Sequence, residues 1–199
     1  MTAYNVVLFL HITSVIFMFA SLTADWLAIA GLRRSESAGP ASAWVRALEI
    51  SGAIGPWARL TVLGAGLCLA VDAWSWQGWI IVGLVSWVVY VVLGEPLTGR
   101  ELRGLTELVR GERGKLSAKA ITRLRHPRMW RSVLIRVGLG AGIVFCMTVK
   151  PEAAVAAAAV VIGALTGFGA ARLTSLSGRA LPGDSGGSGP ERPVATLQT

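Results

Sequence analysis

The sequence predicts an all-α membrane protein, a polytopic bundle of five transmembrane helices with the N-terminus outside and the C-terminus cytoplasmic. Three observations carry this. Of 199 residues, 53% are hydrophobic and only 15% charged, with a mean hydropathy of +0.60. A soluble domain carries about 25% charged residues. Five apolar runs each approach the roughly 20 helical residues needed to cross a hydrocarbon core. Finally, ten of the nineteen basic residues fall between Arg100 and Arg131, and the apolar runs hold almost none.

The first run, 4–32, offers a small-x-small site in "LAIAG" but has no Lys or Arg ahead of it. It is also longer than the apolar core of a signal peptide, so it reads as a retained span. A polar linker and a helical stretch follow over 33–51, "RRSESAGPASAWVRALEIS". The second and third runs, 55–74 and 79–97, are joined by the uncharged turn "SWQGW". The fourth and fifth, 132–149 and 153–173, are separated only by "KPE", whose Pro151 prevents one continuous helix. Gly138–Gly142 and Gly163–Gly167 fit small-xxx-small spacing and predict close approach of these two helices.

Orientation follows from the loops. The 33–51 connection carries three arginines and the 98–131 loop most of the positive charge, whereas the N-terminus and "SWQGW" carry none. Basic loops stay in the cytoplasm. Within the large loop, Leu102, Leu105 and Val109, then Leu116, Ile121 and Leu124, recur at helical spacing. That pattern predicts either amphipathic helices lying on anionic inner-leaflet lipid or a solvated loop with some helix. The organisation is thus a bundle over 1–174 with a basic cytoplasmic loop at 98–131. A Gly/Ser/Pro-rich tail over 175–199 reads as disordered and cytoplasmic. The location implied is a plasma membrane, multi-pass, with a second copy or another membrane protein as a possible partner.

Several function classes are disfavoured. The +8 formal charge sits in a loop beside membrane spans, not on a nucleic-acid-binding face. Cys68 and Cys146 lie in separate apolar runs and read as small buried hydrophobes. No nucleophile–base signature or phosphate-cradling loop is present, so the chain leans away from catalysis.

What remains is a set of ionisable groups in apolar surroundings. On a helix at 100° per residue, His11, Ser14, Met18, Ser21 and Asp25 fall within an arc of about 80°, opposite a face of Val, Ile, Phe and Ala. This stripe should face the bundle interior. His11 and Asp25 are about 21 Å apart along the axis and cannot touch. Near the inner end, Arg59 and Arg136 stand opposite Asp25 and Glu95, and ion pairing is the natural way to hold such groups in a bundle. In the outer half, His11 is joined by Asp72, Cys146, Met147 and Lys150. It is either a hydrogen-bonded structural residue or a ligand of metal or haem.

The stretches "LFLHITSVIFMFASLTADW" and "FCMTVKP" resemble an uncharacterised family of small bacterial integral membrane proteins. That family is itself distantly similar to copper-resistance protein D and to HemJ-type protoporphyrinogen oxidases. The resemblance covers approximately residues 4–151 and leaves the fifth run outside. It implies haem, haem b being the form expected, with His11 as its ligand and Lys150 as a functional residue; Met147 is a further candidate haem contact from its place in the outer half, not from the resemblance. Three readings result: a membrane protein without catalysis, a haem- or porphyrin-handling redox protein, and a carrier of a small solute or metal ion along the His11/Asp25 stripe.

Overall fold

The computed structural model describes residues 2–94 and 99–177, which are helical almost throughout. Helix α1 spans Ala3–Arg34 and α2 spans Ala38–Leu69, continued by a π-helical turn over Ala70–Trp74. Then come α3 (Gly78–Gly94), α4 (Arg100–Gly111), α5 (Ala118–Leu124), α6 (Pro127–Val149) and α7 (Ala153–Ser177). Among the described residues, four helical stretches are long and apolar enough to cross a membrane: Ala3–Arg34, Ala38–Asp72, Ala118–Val149 and Ala153–Thr174. The third expected span, α3, is apolar but has only 17 residues up to Gly94. Its expected end at 95–97 lies outside the described residues.

Two antiparallel hairpins, α1/α2 and α6/α7, form the frame, with α3 on α6 and α7, and α1 against α6. Large apolar side chains left exposed on α1, among them Phe9, Ile12, Ile16 and Phe17, lie opposite its polar stripe. This is the arrangement a lipid-facing helix needs. In the α6/α7 hairpin the two backbones touch. A Cβ added at Gly138 would lie 1.9 Å from the Gly163 carbonyl oxygen, and one at Gly167 would lie 2.2 Å from that of Leu134. These are the glycines whose four-residue spacing predicts close approach.

Two boundaries differ from expectation. Helix α2 begins at Ala38, so the helical stretch expected within 33–51 is continuous with the second apolar run in a single long helix that also contains Pro56. Ala41, Val45 and Leu48 recur every three or four residues and are buried, and this burial carries the helix through its charged stretch. Helix α7 runs to Ser177, three residues into the segment expected to be tail. The rest of that tail, from 178, lies outside the described residues.

In the segment 99–131 the apolar faces are buried within the chain and the polar faces are exposed. Leu105, Val109, Leu116 and Leu124 are buried in one cluster with Ile29, Leu32, Val45, Leu48, Val133 and Ala171. Leu102 and Ile121 pack against its edge. Helices α4 and α5 therefore cap one end of the long helices, since an apolar face is buried wherever a matching one is offered. A short antiparallel pairing closes the cap: Ala38 N–H donates to Gly114 O at 2.8 Å, and Leu116 N–H to Glu36 O at 3.0 Å. Gly114 supplies the positive φ of 78° that this turn requires.

Candidate functional site

The half of the bundle nearer the α4/α5 cap holds a polar node among apolar helices. Helix α1 directs Ser21 and Asp25 inward, one turn apart, and α2 brings Ser51 opposite them. Ser51 Oγ donates to Asp25 Oδ1 at 2.7 Å, and the two serine hydroxyl oxygens are 2.9 Å apart. A carboxylate can only accept, so the hydroxyl chain is directed: Ser21 donates to Ser51, and Ser51 to Asp25. Ser51 Oγ also lies 3.0 Å from the Ser21 carbonyl. Such chains strengthen each other in a low-dielectric interior.

On the other side of the carboxylate, α6 supplies Arg136, whose Nη1 is 3.7 Å from Asp25 Oδ2. Arg136 is 3% exposed. Its guanidinium lies 5.9 Å from the ring centroid of Tyr90 on α3, within reach of a cation–π attraction. It crosses α3 at Gly94, where an added Cβ would come within 3.1 Å of Nη1. Its Nε and Nη2 have no hydrogen-bond partner among the described residues. Arg59 belongs to the same node. Its Nη1 and the Ser21 hydroxyl both converge on Gly55, 3.0 and 2.8 Å from where a Cβ would stand. The charges of Arg136, Arg59 and Asp25 all act on the Tyr90 phenol. Of the four residues expected in ion pairs, Asp25, Arg59 and Arg136 thus gather here, and Glu95 lies outside the described residues. Ser51 and Tyr90 are members that the single-helix pattern does not reveal.

No family model, curated protein or solved structure matches the chain. The function must be argued from its own geometry.

The half away from the cap is arranged differently. His11 Nδ1–H donates to the Val62 carbonyl of α2 at 3.1 Å, and its Cε1 rests 3.1 Å from where a Cβ on Gly66 would be. Met147 packs on α3, its Cε 2.9 Å from the same position on Gly83. Lys150 caps α6 in the left-handed conformation, φ 53°, with Nζ 3.6 Å from the ring centroid of Trp74. The three residues expected as haem contacts are thus divided. His11 belongs to the α1/α2 contact, and Met147 and Lys150 to the far end of α6. No hydrogen bond, ion pair or ring contact joins His11 to either among the described residues. Asp72 is exposed, and Cys146 is buried with its thiol 3.6 Å from the Ala156 carbonyl. His126 caps the other end of α6.

The node makes one quantitative expectation. Ser51→Ala removes one donor to Asp25 and one acceptor for Ser21 from a buried hydrogen-bond chain. The cost should be about 1–3 kcal/mol, read as a lowered Tm in detergent.

Proposed function

We propose that this chain is a non-catalytic multi-pass protein of a bacterial plasma membrane, an assembly or interaction partner for other membrane components. In this reading α3 is a fifth span, the N-terminus is outside, and the basic cap and the C-terminus are cytoplasmic. The observation that carries it is the way the inner node uses its polar groups. Ser21, Ser51, Asp25 and Arg136 are spent on tying α1, α2 and α6 to one another. A carrier needs polar groups that a solute can reach, and a catalytic site needs a reactive group with a free face.

Topology tests the reading first. A reporter after Thr199 or at Gly114 should be cytoplasmic, and one at Gln77 should lie on the outer side. Cytoplasmic activity at Gln77 would overturn the five-span arrangement. Proteoliposomes containing the protein should show no uptake of small solutes beyond empty vesicles, and measurable uptake lost in Asp25→Asn would favour a carrier.

A second reading, haem or porphyrin binding through His11, is favoured by one contact. An imidazole that ligates a metal donates its other ring N–H to a carbonyl or carboxylate. Here Nδ1–H goes to Val62 O, which leaves Nε2 as the nitrogen able to bind iron. The donor set favours one protein ligand, because Met147 and Lys150 are engaged elsewhere. The absorption spectrum of protein expressed with ample haem decides between the readings. The first predicts colourless protein, and the second a Soret band abolished by His11→Ala and kept by His126→Ala.

A further inference from the structure

One face of α5 and the His126 cap of α6 leave an open concavity of about 480 Å³ walled by Lys119, Thr122, Arg123 and His126 beside Ala118. A second hollow of about 210 Å³ shares Arg123 and His126 and adds Glu101 and Arg128. Three cations thus face one carboxylate, and that carboxylate is engaged, with Glu101 3.5 Å from Arg128. Two further features add donors. His126 Nδ1 accepts from the Arg128 amide at 3.4 Å, so the proton of the neutral ring sits on Nε2. The amino end of the 23-residue helix α6 opens at this wall with no acidic residue in its first turn, which places the positive pole of the helix dipole there. Arg123 is held across α4 by the missing side chain of Gly104, since an added Cβ would lie 3.0 Å from its Nη2. The first concavity is mostly apolar in its lining and the second, which shares Arg123 and His126, is more polar, so apolar surface and donors lie side by side, chemistry suited to a phosphate that bears an alkyl group.

Its depth identifies the source. His126 precedes Val133, at the start of the apolar part of α6, by about 10 Å of helix, comparable to the headgroup layer of a bilayer. We propose that this concavity binds the phosphate headgroup of an anionic phospholipid of the inner leaflet, through Lys119, Arg123 and His126. The proposal rests on the membrane placement of α6 with its amino end cytoplasmic.

Native mass spectrometry of the full chain in detergent, titrated with phosphatidylglycerol or phosphatidylcholine, tests it. Phosphatidylglycerol should bind more tightly than phosphatidylcholine. Each cation removed should weaken it about fivefold, so Lys119→Gln combined with Arg123→Gln should lose about 25-fold. Both residues are exposed, and an unchanged Tm will show that the variant is folded. Arg113→Gln, exposed and outside the hollow, should lose less than twofold. An equal loss in Arg113→Gln would mean diffuse attraction and overturn the site, as would full binding by the double variant. Inorganic phosphate competing as well as a short-chain phosphatidylglycerol would overturn the lipid assignment. A reporter at Gly114 found outside would overturn the inner-leaflet placement and the topology together, while leaving the detergent titration to judge the site itself.

Discussion

Gly138→Ala should separate α7 from α6 and lower stability in detergent by about 3 kcal/mol, the upper end of the usual cost of overpacking. The new methyl group would meet the Gly163 carbonyl oxygen at 1.9 Å. That atom is backbone, so it cannot turn aside as a side chain would, and the two helices must move apart along their length. Gly169→Ala is the matched control. Nothing lies within 4 Å of a Cβ at that position, and alanine in place of glycine inside a helix gains roughly 0.5–1 kcal/mol. Thermal unfolding of the two variants in the same detergent should therefore shift in opposite directions. A Gly138→Ala protein as stable as the parent would show that the helices do not touch.

The second large effect belongs to Asp25. Asp25→Ala removes the only described carboxylate from a node that also holds Arg136, 3% exposed, and Arg59. Stranding a buried charge costs about 3–5 kcal/mol. Arg136→Ala should cost less, because Asp25 keeps the Ser51 hydroxyl and Arg59 stays in the node. Replacing both with apolar residues, Asp25→Leu with Arg136→Met, should recover part of the Asp25→Ala loss, because the 3.7 Å pair is removed together and Arg59 is the one charge of the described node that remains. The readouts are yield and Tm. A double variant as unstable as the sum of the singles would mean that the two residues act independently.

The sequence is a good guide to this fold where one physical term dominates. Helices α1, α6 and α7 are legible because long apolar runs need no partner to be recognised. The inward stripe of α1 is legible because periodicity reports which residues share a face: Ser14, Met18 and Ser21 are buried. Periodicity is silent on what a face meets. The apolar residues of α4 and α5 announce a need for burial, yet lipid and the chain's own helix ends satisfy it equally well in one dimension. The same limit applies at the node. Arg59 and Arg136 are both opposite Asp25 in depth, and only the rotation of α6 brings Arg136 to the 3.7 Å contact. Ser51 escaped attention because serine in a charged stretch looks like linker, and its role depends on Ser21, thirty residues away. His11 was conspicuous in sequence, but its partner is a backbone carbonyl, which any residue at position 62 would offer.

The cap has a consequence for the order in which the chain is made. Its core draws on Ile29 and Leu32, on Val45 and Leu48, on Leu105 through Val133, and finally on Ala171, which is fully buried. The apolar faces of α4 and α5 therefore emerge from the ribosome well before their last neighbour exists. During the synthesis of the following forty or so residues, Leu105, Val109 and Leu124 lack part of their covering. Completion of the cap is then coupled to the docking of α7. A chain that fails to place that last helix keeps an unfinished apolar surface, the kind of surface that chaperones and proteases recognise.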